Sequence, residues 1–299
     1  MDNVIGTGVA LVTPFDVKGG VDFDALTKIV EYQIANGVDY LVVLGTTGES
    51  VTLTTEEKKK IMAHVSLINA GRLPLVVGVG GNNTLAVVEE LATMDYMDFE
   101  AVLSVSPAYN KPTQEGIYQH FKALSEASKL PIILYNVPSR TGSNMLPETT
   151  LRLARDFDNI IGIKEACGNM PQLDMLLKHK PDGFHIISGD DFTALATVLA
   201  GGSGVISVLG QGLPGPFSKM IQLGLQGESE QAYEIHQSLL NGMHLIFEEG
   251  NPAGIKSVFA ELGFMNSAVR LPLVKVSVDL RKRIASFLKA FQPTIAAAR

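Results

Sequence analysis

The regular recurrence of short apolar runs, separated by amphipathic stretches, is what most narrows the folds open to this chain. The runs span residues 8–13, 40–44, 75–79, 101–105, 132–135, 160–164, 185–188 and 204–208. Each is rich in Val, Ile or Leu, and most lack polar alternation. That is the pattern of a strand buried on both faces, as in a parallel sheet covered by helices. The stretches between them read as helices. Residues 22–36 gather Phe23, Leu26, Ile29, Val30 and Ile34 on one side and stop before Gly37, a suitable helix terminator. Thr54-Thr55-Glu56-Glu57 opens the next helix with a hydroxyl followed by acids in the first turn. Eight such β-α repeats predict an α/β fold, a closed (β/α)8 TIM barrel. The rival, a doubly wound open sheet, usually carries a glycine fingerprint in its first β-α turn. Here that turn reads Val12-Thr13-Pro14-Phe15, with no glycine.

The pattern changes after residue 212. Residues 214–226, 229–248, 252–262 and 278–291 all read as helices with no strand between them. The expected organisation is a catalytic barrel over 1–224 and a C-terminal helical region over 225–299, packed on the barrel and available for subunit contacts. No linker marks a second independent domain. The formal net charge is −7 and no basic stripe recurs, so nucleic acid is not an expected partner. Lys58-Lys59-Lys60 follows Glu56 and Glu57 and reads as a solvated helix face. Cys167 is the one cysteine, so no internal disulfide can form, which suits a reducing compartment. The first residues show no signal peptide, and no apolar run reaches membrane-spanning length. A soluble cytoplasmic protein with no membrane partner is the expectation.

In such a barrel the chemistry sits at the C-terminal ends of the strands. Lys164 closes the sixth run. Keeping a lysine charged at the end of a buried apolar strand is costly, and desolvation favours the neutral amine whose lone pair an imine-forming nucleophile needs. From position alone, a lysine paired with Glu165 or another acid is as good a reading. Tyr135 ends the fifth run, where a phenol can move protons beside that amine; it is equally an ordinary core residue with a polar tip. Gly45-Thr46-Thr47-Gly48-Glu49-Ser50 follows the second run, and its amides and hydroxyls can hold a carboxylate or simply form a tight turn. Arg140, in a loop after the fifth run, suits a bidentate grip on a carboxylate, although surface arginines are usually just solvated. The six histidines form no H-x-H or H-E-x-x-H group, which argues against a metal-dependent aldolase. Gly78-Val79-Gly80-Gly81-Asn82-Asn83 departs from a dinucleotide fingerprint at Asn83. Gly201-Gly202-Ser203-Gly204 reads as the tight approach to the eighth strand, and Cys167 as packing.

Taken in order, these pieces resemble the 4-hydroxy-tetrahydrodipicolinate synthase (dihydrodipicolinate synthase) family, of the pyruvate-dependent class I aldolase and N-acetylneuraminate lyase superfamily. The matching segments are Ala10-Leu11-Val12-Thr13-Pro14-Phe15, Gly45-Thr46-Thr47-Gly48-Glu49-Ser50, Pro107-Ala108-Tyr109-Asn110-Lys111-Pro112, Tyr135-Asn136-Val137-Pro138-Ser139-Arg140-Thr141-Gly142, Gly162-Ile163-Lys164-Glu165-Ala166, Ser188-Gly189-Asp190-Asp191 and Gly204-Val205-Ile206-Ser207-Val208. The resemblance implies a lyase of the carbon-oxygen class, with pyruvate and L-aspartate 4-semialdehyde as substrates and no cofactor. It implies an imine at Lys164, a proton relay of Tyr135, Thr46 and Tyr109, and a carboxylate site at Thr47. It implies that Arg140 holds the aldehyde's carboxylate and that carbonyls near Gly189 and Ile206 line the pocket. Tyr109 would reach in from a neighbouring subunit of a homotetramer, a dimer of dimers. An aldolase for a sialic acid or a 2-keto-3-deoxy sugar acid is the alternative, disfavoured by Thr46, by the Arg140-Thr141-Gly142 segment, and by Glu165-Ala166 after the lysine. A barrel that only binds a keto acid is disfavoured because every relay residue is present.

The same resemblance implies weak or absent inhibition by L-lysine. Lysine-inhibited relatives hold it with two histidines, a glutamate and a tyrosine; this chain has Thr55, Lys58, Ala86 and Ala108 at those positions.

Overall fold

The computed structural model describes residues 4–96 and 98–291. Eight strands form one closed parallel barrel in sequence order: β1 (Gly6–Ala10), β2 (Tyr40–Val43), β3 (Leu75–Gly78), β4 (Phe99–Val105), β5 (Ile132–Asn136), β6 (Ile160–Glu165), β7 (His185–Ser188) and β8 (Gly204–Ser207). The connecting helices are α1 (Phe23–Ala35), α2 (Thr55–Asn69), α3 (Thr84–Thr93), α4 (Gln114–Ala127), α5 (Pro138–Thr141), α6 (Pro147–Asp156), α7 (Met170–His179), α8 (Ala194–Leu199) and α9 (Pro214–Leu225). The C-terminal helices are α10 (Ser229–Glu248), α11 (Ala253–Glu261) and α12 (Val278–Leu288). Among the described residues, no helix is long and apolar enough to cross a membrane.

The missing polar alternation has a direct cause. Inward residues such as Tyr40, Val76, Leu103, Ile133 and Ile206 fill the lumen, while Leu41, Val77, Val102, Leu134 and Val205 meet the helices. Both faces are apolar because both are buried, and each such side chain contributes about 1.5–3 kcal/mol when fully removed from water. The barrel closes where β1 pairs with β8, from Gly6↔Gly204 to Val9↔Ser207. A Cβ on Gly204 would stand 2.0 Å from the Gly6 carbonyl oxygen, so the seam needs glycine there.

Helix ends follow the local chemistry. Asp22 caps α1 by accepting from Ala25 N, and Thr54 with Glu57 forms a capping box on α2. The first strand departs from expectation. Its ladder ends at Ala10 rather than running to residue 13, because beyond it the Val12 amide donates to the Gln211 side chain.

Candidate active site

The C-terminal rim of the barrel holds a cavity of about 380 Å³ whose lining includes Thr46, Thr47, Tyr135, Arg140, Lys164 and Gly189. These residues come from four different strands, β2, β5, β6 and β7, or the turns that follow them. Lys164 is 5% exposed and lies beside Tyr135 in the ladder, since β5 and β6 pair Tyr135 with Lys164. Its ammonium stands 4.4 Å from the centre of the Tyr135 ring. Gly189 makes room for the lysine: a Cβ there would meet Lys164 Cγ and Cε at 3.0 Å.

Glu165 is not the partner of Lys164. Successive strand residues face opposite sides, and Glu165 accepts instead from Asn136 Nδ2, Gln172 Nε2 and the Cys167 amide, all within 2.9–3.0 Å. Burial raises its pKa in spite of these donors. Lys164 is thereby left against a phenol and an open cavity, the setting in which a desolvated amine condenses with a carbonyl. The thiol of Cys167 is pushed up to about 12 by burial and the neighbouring Glu165, so it is a poor nucleophile.

The turn after β2 is built under strain. Thr46–Gly48 forms one turn of 3-10 helix, flanked by two left-handed non-glycine residues, Leu44 (φ 60°) and Glu49 (φ 53°). Such conformations persist when the surroundings over-determine them. Thr13 Oγ1 donates to the Gly48 carbonyl at 2.7 Å. The Glu49 carboxylate accepts from Lys256 Nζ at 2.5 Å and from the Arg270 amide at 2.9 Å. Lys256 and Glu49 are both buried, and desolvation holds the Lys256 pKa down at about 8. Asp191, which follows β7, accepts from Ser207 Oγ, Leu209 N and Val208 N, and so fixes the chain that leaves β8 and enters the cavity wall at Val208. Burial pushes its carboxyl up to about 6.

Arg140 differs from expectation in its setting. It sits on α5, a single helical turn ended by Gly142 in the left-handed conformation, and not in an open loop. Its side chain is exposed, and Nη2 donates to the Asn251 carbonyl at 3.1 Å. Ile206 is fully buried among the lumen side chains, and the wall above it is Val208. Tyr109 does not line its own chain's cavity. It is 90% exposed and holds a left-handed backbone (φ 70°), unusual for a bulky residue.

Among the lining residues not anticipated, two come from the C-terminal region. Phe247, near the end of α10, and Asn251, between α10 and α11, bring the C-terminal region into the site wall. By sequence alone, that region reads as packing and subunit contact. Lys58 also departs from expectation: only Lys59 and Lys60 are exposed, while Lys58 lines a cleft with Ser50, Gly80 and Glu90. That cleft shares Thr46 and Tyr135 with the main cavity. Among the described residues, no group of three or more His, Cys, Asp or Glu side chains converges as metal ligands would.

The chain resembles known proteins over nearly its whole length. Residues 3–291 match the dihydrodipicolinate synthetase family. The chain is 59% identical over 289 residues to 4-hydroxy-tetrahydrodipicolinate synthase from Flavobacterium psychrophilum, covering 97% of this chain and 99% of that protein. It is 52% identical over 287 residues to the protein of that name from Parabacteroides distasonis, covering 96% and 97%. The crystal structure of dihydrodipicolinate synthase from Thermotoga maritima superposes with a TM-score of 0.94 at 38% identity, covering 96% of this chain and 98% of that one.

Proposed function

The chain belongs to the dihydrodipicolinate synthetase family, and from that premise we propose how it carries out 4-hydroxy-tetrahydrodipicolinate synthesis. It condenses pyruvate with L-aspartate 4-semialdehyde on the diaminopimelate route to lysine, as a cytoplasmic lyase of the carbon-oxygen class. Relatives up to 59% identical support this reading over an aldolase for a sialic acid or a 2-keto-3-deoxy sugar acid.

Lys164 attacks the keto carbon of pyruvate, water leaves, and an imine forms. The imine draws electrons from the adjacent methyl, which loses a proton to give an enamine. The enamine carbon attacks the aldehyde. The amine of the former semialdehyde then displaces Lys164 and closes a six-membered ring. Tyr135 moves the protons, with Thr46 and the partner subunit's Tyr109 completing the relay. Thr47 and its neighbouring amides hold the pyruvate carboxylate. Arg140 holds the carboxylate of the aldehyde, and carbonyls near Gly189 and Ile206 line the pocket around bound pyruvate. No metal or organic cofactor takes part.

The observation that carries this reading is the buried Lys164 ammonium against the Tyr135 ring, in one cavity with Thr46, Thr47 and Arg140. A homotetramer, arranged as a dimer of dimers, is the proposed working form. Tyr109, 90% exposed and outside the lining of its own chain's cavity, is left available for a subunit contact. The test is a coupled assay of the purified protein. The expected result is one-to-one consumption of pyruvate and L-aspartate 4-semialdehyde. Turnover of pyruvate with a sugar aldehyde, and none with the semialdehyde, would overturn the assignment.

A further inference from the structure

Thr47 is 3% exposed and Asn251 is 7% exposed, and both line the cavity. Asn251 Nδ2 donates to Thr47 Oγ1 at 3.0 Å. An amide NH₂ has no lone pair to offer, so at this contact the threonine oxygen is the acceptor. Its own hydroxyl proton is left to donate elsewhere, and the open side of Thr47 is the cavity. The direction of that proton decides whether Thr47 greets an anion with a donor or with a lone pair.

The segment carrying Asn251 grips the same turn a second time. Lys256, on α11, pairs with Glu49 at the far end of the Thr46–Gly48 turn, and Arg270 donates its amide to the other carboxylate oxygen. The C-terminal region therefore holds this turn both at its middle and at its end. Asn251 meets Arg140 as well, but through its backbone carbonyl. Replacing the Asn251 side chain therefore disturbs Thr47 and leaves the arginine's acceptor in place.

We propose that Asn251 is a positioning residue for pyruvate: by occupying the acceptor side of the Thr47 oxygen, its amide turns the Thr47 hydroxyl proton toward the keto-acid carboxylate. This rests on the reading that Thr47 binds that carboxylate.

A double-mutant cycle on the full-length enzyme tests it. Pyruvate half-saturation is read from borohydride trapping of the imine in wild type, Thr47→Val, Asn251→Ala and the double variant. A hydrogen bond to a charged group sets the scale, so each single change is expected to raise the half-saturation roughly tenfold. The double variant is expected to do no worse than Thr47→Val, because the amide acts through the hydroxyl. The KM for L-aspartate 4-semialdehyde should stay within about twofold, since the Arg140 contact is to backbone. Asn251→Asp keeps the shape but offers only acceptors when ionised, so it should pull the hydroxyl proton toward itself and weaken pyruvate further than Asn251→Ala.

Half-saturation constants do not depend on the fraction of enzyme that is folded. A variant that merely folds poorly would leave them unchanged, and that result overturns the proposal. So would independent, multiplying effects of the two changes, or wild-type pyruvate binding in Asn251→Asp. If Thr47→Val itself leaves pyruvate binding unaltered, the underlying assignment of Thr47 is what fails.

Discussion

Replacing Gly189 by alanine should slow imine formation while leaving the barrel folded. An ideal Cβ at this position lies 2.6 Å from Ala166 Cβ and 3.0 Å from Lys164 Cγ and Cε. Relaxed carbon-carbon contacts lie near 3.5–4.0 Å, so a displacement on the order of 1 Å is needed. Ala166 has no rotamer with which to yield. The adjustment therefore falls on the end of β6 and on the Lys164 side chain. Overpacking of this kind costs about 1–3 kcal/mol, which corresponds to roughly 5- to 150-fold when it falls on the reactive geometry. The backbone of Gly189 is not left-handed, so the effect is steric and not conformational. The assay is rapid-quench borohydride trapping at saturating pyruvate, with the melting temperature measured in parallel. A trapping rate equal to wild type at an equal melting temperature would refute the idea that Gly189 is there to seat the lysine.

Three further outcomes are expected. Arg140→Ala should lower kcat/KM for L-aspartate 4-semialdehyde by roughly tenfold to a few hundredfold, the scale of a charge-assisted pair, with pyruvate trapping unaffected; unchanged aldehyde kinetics would remove Arg140 from the site. Mixed subunits carrying Tyr109→Phe and Lys164→Ala, each inactive alone, should recover activity after exchange, because one site regains both groups; no recovery after verified exchange argues against action across subunits. Initial rates should be insensitive to L-lysine. Ala86 and Ala108 lack the recognising groups, and Lys58 lines the cleft beside Ser50 and Gly80, where a second cation about 4 Å away costs on the order of 4 kcal/mol at an effective dielectric near 20. Glu90 also lines that cleft. Half-inhibition at submillimolar lysine would show that it suffices to replace what Ala86 lacks.

Much of the barrel was legible because its signal is local. A parallel strand buried on both faces leaves an unbroken apolar run, and the helix starts at Asp22 and Thr54 announce themselves within four residues. The lysine at a strand end stood out because apolar strands seldom finish on a cation. What escaped depends on contacts between distant parts of the chain. Asn251, just before Pro252, reads as an ordinary turn residue, and nothing near it in sequence points to Thr47. Lys256 lies in an amphipathic helix pattern where a lysine reads as solvent-facing, and only the fold shows it buried against Glu49. Likewise Lys58 belongs to a run of three lysines that looks uniformly solvated, yet that one residue lines the second cleft. The limit of β1 was missed because a side chain, Gln211, replaces the neighbouring strand as the partner of Val12.

The mechanism stands or falls with Lys164 as the amine that condenses with pyruvate. Borohydride reduction in the presence of pyruvate, followed by intact-mass measurement and peptide mapping, decides it. The mechanism predicts one pyruvate-derived group per chain, located on Lys164 and lost in Lys164→Ala. Labelling at another lysine, or undiminished labelling in that variant, would contradict it.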